Sequence, residues 1–324
     1  MKLGIIGSGM IGNEFLTITK YLKDIELTAI LGREKSKNKI EELVYKYNIK
    51  NSFYNYDELL KSQVDTVYIA LPNKLHFEFS KKALENGKNV IIEKPITVEY
   101  EEAIELGKLA KEKNLFIFEA ISTLYLPNYK KIQEEVKNIG DIKIVQCNFS
   151  QYSSRYDKFK RGEIEPVFDP KCAGGALMDL NIYNIHYAVG LFGEPKNIEY
   201  YPNIERGIDT SGVLILDYGK FKCICIGAKD CKAPIAYNIQ GDKGCIYQDT
   251  PANACEAFSI LMNDGRNINI NENKYNNRLI NEFIEFSNII KNKDYNQCYK
   301  RYEHSILVSK IQTEARRKSG IKFY

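Results

Sequence analysis

Residues 2–12 are the most informative about the fold of this chain; they read Lys2-Leu3-Gly4-Ile5-Ile6-Gly7-Ser8-Gly9-Met10-Ile11-Gly12. An apolar strand runs into a complete G-x-G-x-x-G loop, and a helical pattern follows. In such a loop Gly7 permits a tight turn, Gly9 lets a diphosphate approach the backbone, and Gly12 lets helix and strand pack closely. The N–H groups and the positive dipole end of the helix favour an anion there. In this context we predict dinucleotide binding rather than a purely structural glycine turn.

Strands and helices alternate through the first third of the chain, with short connections. We predict strands at residues 2–6, 26–31, 52–54, 66–70, 89–92 and 116–119, and helices at 10–22, 36–47, 56–61, 75–86 and 98–113. The last three full strands are almost continuously apolar, as strands covered on both faces must be. The alternation predicts an α/β fold with a doubly wound parallel sheet.

This rhythm changes after about residue 121. Helical patterns lie at residues 128–138, 176–192, 277–292 and 302–318, and strands at 142–152, 212–218, 221–227 and 236–240. Such runs of strands predict an α+β domain whose mostly antiparallel sheet is covered on one face. We therefore expect a dinucleotide-binding domain at 1–121 and a substrate-binding domain at 122–324. The uncovered sheet face points to a homodimer or homotetramer.

Length and composition set limits on the class of protein. A chain of 324 residues suits two domains, and 44% hydrophobic with 27% charged residues is ordinary for a globular enzyme. The net charge of +4 is spread without a basic stripe, so we expect no nucleic-acid partner. We also expect no membrane span, because no long apolar run exists, and no signal peptide. These features favour a cytoplasmic protein.

The eight cysteines do not have the spacing of a metal site. There is no C-x-x-C pair, and the chain has three histidines. Cys223 and Cys225 alternate along one strand and share a face. We expect no metal and interpret the thiols as reduced, buried and apolar in character.

Two further segments carry residues suited to catalysis. Glu93-Lys94-Pro95 follows the apolar run Val90-Ile91-Ile92, so Lys94 lies at the carboxyl end of a buried parallel strand, where such sheets bind ligands. In the second segment, Asp179, Tyr183 and His186 recur at i, i+4 and i+7 of a predicted helix and share one face. Polar groups in this pattern either bond internally or face a pocket, and the lysine at a nucleotide site favours the pocket.

These segments together resemble the Gfo/Idh/MocA family, named for glucose–fructose oxidoreductase and inositol dehydrogenase. The matching motifs are the glycine loop, the segment from Ala70 to His76, the segment from Gly87 to Pro95, and the helix from Gly174 to His186. The resemblance implies a Rossmann domain, NAD(H) or NADP(H), sugar or polyol substrates, and Lys94 as the catalytic lysine. Tyr183 stands where inositol dehydrogenase-like members carry His, as in the glucose–fructose oxidoreductase, dihydrodiol dehydrogenase and xylose dehydrogenase branch.

Hydride transfer between an alcohol and a nicotinamide also needs a group that exchanges the hydroxyl proton. We expect Tyr183 in that role, with the Lys94 ammonium favouring its ionised form, Asp179 orienting the pair or a hydroxyl, and His186 in reserve. The expected cofactor-binding residues are Gly7, Ser8, Gly9, Met10, Ile11, Gly12, Arg33, Leu71, Pro72, Asn73, His76, Glu93 and Lys94. Of these, His76 and Glu93 are expected to pack or to bond locally rather than to react.

The end of the second predicted strand indicates the choice of cofactor. No acid stands at its tip to hold a ribose 2′-hydroxyl, and Arg33 can meet a 2′-phosphate, although Glu34 follows it. We therefore predict NADP(H) over NAD(H). Two other functions remain open: a cofactor-retaining glycosidase or epimerase with no net redox change, and a non-catalytic NADP-binding sensor.

Overall fold

A computed structural model describes the whole chain, Met1–Tyr324. The chain divides into two compact units. Unit 1 contains Met1–Ala120 and Leu279–Ile306, and unit 2 contains Ile121–Arg278 and Leu307–Tyr324. The boundary predicted at residue 121 puts all later residues in one domain. In the structure, residues 279–306 belong to unit 1 by their contacts. Helical periodicity shows which face of a segment is apolar but not which sheet it covers.

The strands and helices are numbered in chain order. The strands are β1 (Lys2–Ile6), β2 (Glu26–Leu31), β3 (Asn51–Phe53), β4 (Thr66–Ile69), β5 (Asn89–Glu93), β6 (Ile117–Ala120), β7 (Ile142–Ser150), β8 (Asn197–Glu205), β9 (Ile208–Asp217), β10 (Lys222–Ala228), β11 (Ala236–Gly241), β12 (Gly244–Gln248), β13 (Phe258–Met262) and β14 (Asn267–Ile270). The α-helices are α1 (Met10–Ile18), α2 (Lys37–Tyr47), α3 (Tyr56–Lys61), α4 (His76–Glu85), α5 (Tyr100–Glu112), α6 (Pro127–Glu135), α7 (Tyr156–Lys160), α8 (Ile182–Phe192), α9 (Leu279–Lys291) and α10 (Tyr295–Lys318).

Unit 1 is built on a six-stranded parallel sheet in the order β3-β2-β1-β4-β5-β6. The order reverses between β1 and β4, and ligands of doubly wound sheets bind outside the carboxyl ends of the strands at such a point. Most side chains of the central strands are buried, and Ile5, Ile69 and Ile92 are fully so. The predicted Rossmann architecture is therefore confirmed, and the glycine loop and the end of β5 lie at the ligand-binding edge.

Unit 2 is built on an eight-stranded sheet in the order β14-β13-β12-β11-β7-β10-β9-β8. Only β7 and β10 pair in parallel, and all other neighbours are antiparallel. One face is buried and packs against α8. The other face carries partly or fully exposed apolar side chains, namely Ile144, Tyr201, Val213, Ile215, Ile224, Ile226, Tyr247 and Leu261. The predicted mostly antiparallel sheet with one covered face is confirmed.

No helix of the chain has both the length and the apolar character that crossing a bilayer demands.

Candidate active site

The glycine loop of unit 1 has the shape that a bound diphosphate needs. Gly7 has φ +108°, and a Cβ there would lie 2.6 Å from the Ala70 carbonyl oxygen. A Cβ at Gly12 would lie 2.8 Å from the Gly7 carbonyl oxygen, whereas a Cβ at Gly9 would meet nothing within 4 Å. Gly7 and Gly12 are therefore required by close packing, and Gly9 faces open space at the start of α1. This cradle fits a dinucleotide diphosphate.

A lysine contacts the glycine loop from the neighbouring helix. The Nζ atom of Lys39, on α2, donates to the Ser8 carbonyl oxygen at 2.7 Å. Arg33 is exposed just after β2, in the connection that leads to α2. Two cations are thus available at this edge of unit 1. The sequence pattern indicates only Arg33 as a cation for the cofactor phosphate, because the position of Lys39 depends on how α2 packs.

Lys94 directly follows β5 and is half-buried, and a cis peptide bond joins it to Pro95. Beside it, the buried Glu93 accepts a short hydrogen bond from the Tyr68 hydroxyl. The fully buried His76 ring lies 2.7 Å from the Pro95 carbonyl oxygen and 2.9 Å from that of Leu71. Burial lowers the pKa of His76. These contacts hold both side chains within unit 1, and their part in cofactor binding stays a prediction.

The remaining residues expected at the cofactor follow β4. Leu71 and Asn73 are half-buried and Pro72 is exposed, and Asn73 begins a short 3₁₀ turn that leads into α4. They lie at the carboxyl end of the strand next to β5. Met10, the first residue of α1, is exposed beside the glycine loop. Their contact with a cofactor stays a prediction.

Asp179, Tyr183 and His186 of unit 2 do not lie on one equally accessible face. Asp179 belongs to a π-helical turn, Leu177–Asn181, which precedes α8. Its side chain is 31% exposed, whereas Tyr183 is 7% and His186 0% exposed. The π-helical turn is wider than an α-helical turn, so the angular spacing of these three residues differs from that in a regular α-helix. Such turns are frequent at functional sites. Asp179 is therefore the most accessible member of this set, and Tyr183 retains a small exposed area.

Two carboxylates hold the π-helical turn, Asp179 through an ion pair and Asp209 through hydrogen bonds from neutral donors, and no sequence pattern predicts either contact. The Asp179 carboxylate pairs with the ammonium of Lys229, which directly follows β10. Asp209, on β9, accepts from the Leu177 N–H and from the Tyr200 hydroxyl, both at 2.7 Å. A Cβ at Gly175 would overlap Asp209, so this glycine lets the carboxylate reach the helix start. The register of the strands brings these partners together, and a local sequence pattern does not predict them.

The segment after β7 carries side chains that could line a pocket. Arg155 and Lys158 both pair with Glu165 at 2.8 Å, so those two cations are engaged with an acid. Tyr152 lines a cavity of about 490 Å³ at the end of β7, together with Gln151, Lys232 and Asp249. Tyr152 is therefore placed at an open cavity.

Three cysteines of unit 2 form a buried cluster. Cys147 on β7 lies opposite Cys225 on β10, and the Sγ atoms of Cys223 and Cys225 are 3.7 Å apart. All three thiols lie within 4.8 Å of one another and are fully buried. A structural zinc site takes four ligands and this cluster offers three, so we interpret it as packed thiols in the core. The alternation along one strand predicts that Cys223 and Cys225 share a face, but it cannot predict that Cys147 on β7 lies beside them.

We expect Asp209 to make stability depend on pH. Burial raises the pKa of this carboxyl from 3.8 to about 6. The folded protein then binds the proton more tightly than the unfolded chain, so the free energy of unfolding should fall as pH rises from about 4 to 6. This decrease in the free energy of unfolding of the wild type, compared with Asp209→Asn, should reach roughly 3 kcal/mol at most. Urea unfolding of both proteins between pH 4 and pH 7 measures it, with the exposed Asp249→Asn as control. Parallel curves for wild type and Asp209→Asn would contradict the assignment.

A Rossmann unit with a glycine cradle and a strand-end lysine, followed by an α+β unit, defines a dinucleotide-dependent oxidoreductase. Comparison with known proteins agrees: the oxidoreductase family with an NAD-binding Rossmann fold matches residues 1–120, and the GFO/IDH/MocA C-terminal domain matches residues 129–247. The chain belongs to the GFO/IDH/MocA oxidoreductase family, as its motifs predicted. It is an NAD(P)-dependent oxidoreductase.

Similar proteins cover nearly the whole chain. Scyllo-inositol 2-dehydrogenase (NADP(+)) IolU of Bacillus subtilis is 33% identical over 100% of this chain and 98% of its own length. Trans-1,2-dihydrobenzene-1,2-diol dehydrogenase of Mus musculus is 30% identical over 75% of this chain and 73% of its own length. The crystal structure of KijD10, a 3-ketoreductase from Actinomadura kijaniata in complex with NADP and TDP-benzene, superposes with a TM-score of 0.86 at 20% identity, covering 98% and 97% of the two chains. That last likeness establishes the fold alone.

Proposed function

We propose that this chain is an NADP-preferring dehydrogenase or reductase of a polyol, sugar or dihydrodiol-type alcohol. The observation that carries the proposal is Lys94 at the carboxyl end of β5, at the ligand-binding edge of the sheet that also holds the glycine cradle. The full-length similarity to an NADP(+)-dependent inositol dehydrogenase supports the substrate class and the cofactor.

The chemistry divides between the cofactor and the chain. The nicotinamide, when bound, accepts or supplies the hydride. The Lys94 ammonium would stabilise negative charge on the substrate oxygen, which develops as the hydroxyl proton leaves. The Tyr183 phenol would exchange that proton, and the part-exposed Asp179 carboxylate would accept a hydrogen bond from a neighbouring hydroxyl. Glycine-loop N–H groups would hold the diphosphate.

Arg33 is expected to select the 2′-phosphate of NADP. Replacing it with alanine should raise KM for NADP⁺ roughly 10- to 100-fold, since a charge-assisted hydrogen bond contributes about 1.5–3 kcal/mol and about 1.4 kcal/mol is tenfold. KM for NAD⁺ should stay nearly constant, because NAD⁺ has no 2′-phosphate. Initial-rate kinetics with both cofactors measure the effect, and Lys61→Ala, an exposed change at the end of α3, is the control. An equal loss for both cofactors would show that Arg33 serves the adenosine rather than the phosphate.

A coupled screen tests the overall proposal. The wild-type protein is incubated with NADP⁺ or NADPH and with inositols, other polyols, aldoses, dihydrodiols and dicarbonyls, and the absorbance of NADPH is followed. Turnover of one class supports the proposal. Release of free sugar from a glycoside with only catalytic amounts of cofactor would favour the retaining glycosidase, and NADPH binding without any turnover would favour the sensor.

We also propose that two copies associate through the uncovered face of the unit 2 sheet. Support comes from its exposed apolar side chains, of which Tyr201 is 60% and Ile144 45% exposed. Light scattering should give a molar mass of a dimer or tetramer, and Ile144→Glu with Ile224→Glu, both on this face, should reduce it toward a monomer. An unchanged assembly in this double variant would mean that another surface is used.

The cysteines support a place in the reducing cytoplasm. All eight occur as thiols without a disulfide, and one of them, Cys231, is exposed.

A further inference from the structure

We propose that Lys229 is a positioning residue of the active site, which holds the Asp179 carboxylate charged and correctly oriented for a substrate hydroxyl. The inference rests on the proposed function, because it gives Asp179 a substrate to contact. Neither the family match nor the motifs of the sequence assign a role to Lys229.

Lys229 is fixed by its backbone on both sides. Its N–H donates to the Thr210 carbonyl oxygen at 2.8 Å, and its own carbonyl oxygen accepts from the Ser153 N–H at 2.8 Å. The side chain is 2% exposed, and Nζ lies 5.0 Å from the centre of the Phe168 ring. The ammonium thus reaches Asp179 along a buried path with little freedom to move.

A buried ammonium is costly unless an acid compensates it. The acid here is Asp179, whose Oδ2 accepts a short hydrogen bond from Lys229 Nζ. The two partners differ sharply in exposure, because the side chain of Asp179 is 31% exposed and that of Lys229 only 2%. One side of the pair is sealed by protein while the carboxylate remains reachable. A pair serving packing alone would gain little over apolar residues of equal volume.

The other acids of this region accept hydrogen bonds from neutral donors, although the charge of Lys229 also acts on the buried Asp209. Asp209 accepts from the Leu177 N–H and the Tyr200 hydroxyl, and Asp230 accepts from the Thr210 and Ser211 hydroxyls at 2.7 and 2.8 Å. Glu205 accepts from the Tyr156 hydroxyl at 2.6 Å. These contacts fix the acids within the fold, whereas Asp179 is the part-exposed acid that takes the ammonium. Lys229 therefore acts on the acid that stands where a substrate can reach it.

The orientation of Asp179 has a mechanistic consequence. A charged carboxylate accepts hydrogen bonds more strongly than a neutral one. With one oxygen directed by Lys229, the carboxylate has a defined plane, and a substrate hydroxyl meets it in one orientation. Without Lys229 the carboxyl would rotate more freely and would bind its proton at higher pH.

The test compares wild type with Lys229→Met, which keeps the length of the stem and removes the charge. We expect kcat/KM for the alcohol to fall about 10- to 100-fold, by analogy with the loss that follows removal of the partner that orients a metal-binding side chain. NADPH affinity should change by no more than about twofold, because the change lies outside the glycine-loop unit. The acidic limb of the pH profile of kcat/KM should move up by about one pH unit or more. Lys220→Met, an exposed change in the turn that precedes β10, should alter none of these.

A second variant keeps the test decisive if Lys229→Met does not fold. Lys229→Met combined with Asp179→Asn removes both charges and leaves no unpaired one, and we expect it to fold and to be as inactive as Asp179→Asn alone. A kcat/KM within about threefold of wild type in either Lys229 variant, with an unmoved pH profile, would overturn the inference.

Failure of the proposed function can be told apart from failure of this inference. If the wild-type protein turns over nothing in the coupled screen, the proposed function fails first. The inference is then judged on protein labelled with ¹³C at aspartate carboxyls, with the Asp179 signal identified by Asp179→Asn. We expect this signal to titrate at higher pH by about one unit or more in Lys229→Met than in wild type. An identical titration in the two proteins would overturn the role assigned to Lys229.

Discussion

Replacing Lys94 with alanine should reduce kcat by about 10²- to 10³-fold, the range found when one preorganised donor to a developing oxyanion is removed. Lys94 follows β5 at the ligand-binding edge of the parallel sheet, and its ammonium is the proposed stabiliser of charge on the substrate oxygen. The fold should persist, because the β5 side chains that form the core, such as Ile91 and Ile92, are unchanged. Steady-state kinetics on the substrate found by the coupled screen, with NADPH titration and thermal unfolding, measure the effect.

The matched control is Lys81→Ala in the same unit. Lys81 lies on α4, is partly exposed, and pairs with Glu105 at 2.7 Å. Exposed pairs of this kind contribute little to stability, so kcat and the unfolding temperature should stay close to wild type. Wild-type kcat in Lys94→Ala would remove the lysine from the chemistry. Loss of NADPH binding together with kcat would instead assign Lys94 to holding the cofactor.

Replacing Tyr183 with phenylalanine should lower kcat about 10²- to 10⁴-fold, which is the usual contribution of a positioned general acid or base. The substitution removes one hydroxyl and keeps the ring, whose centre lies 6.0 Å from that of Phe149. The packing of α8 should therefore survive, so the loss should appear in kcat rather than in the unfolding temperature. Steady-state kinetics and thermal unfolding of the folded variant measure both quantities.

Tyr201→Phe is the control for this change, since it makes the same substitution on the uncovered sheet face. It should leave kcat unaltered. Full activity in Tyr183→Phe would move proton transfer to His186. That outcome would require His186, which is fully buried in the present structure, to become accessible to substrate. His186→Gln would then abolish turnover, whereas our assignment expects its main effect on stability.

Sequence alone was sufficient for the parallel sheet of unit 1. A parallel strand covered on both faces must be apolar almost throughout, so β4 and β5 are visible as unbroken runs. The glycine loop could be assigned role by role, and Gly7 and Gly12 have the close contacts that the pattern demands. The lysine after β5 could be placed at the ligand-binding edge, because every carboxyl end of a parallel sheet points the same way. Strands such as β12 and β13 were missed, since short antiparallel strands leave a weaker signal.

Sequence was insufficient for the contacts that join distant segments. Asp179 and Lys229 are 50 residues apart and meet through the positions of the π-helical turn and the end of β10. Asp209 reaches the same helix start only because Gly175 has no side chain in its way. Residues 279–306 joined unit 1, and Cys147 joined Cys223 and Cys225, through pairings of the same kind.

Sequence information was therefore enough to infer the two kinds of sheet, the family, the nucleotide loop and the lysine that follows β5. These features follow from periodicity and from residues that are neighbours in the chain, where burial and backbone geometry act locally. The three-dimensional structure was needed to show which charges pair and how far Asp179, Tyr183 and His186 are exposed. It was also needed to show that residues 279–306 belong to unit 1. Those outcomes depend on strand register and on packing between segments far apart in sequence, which no local pattern encodes.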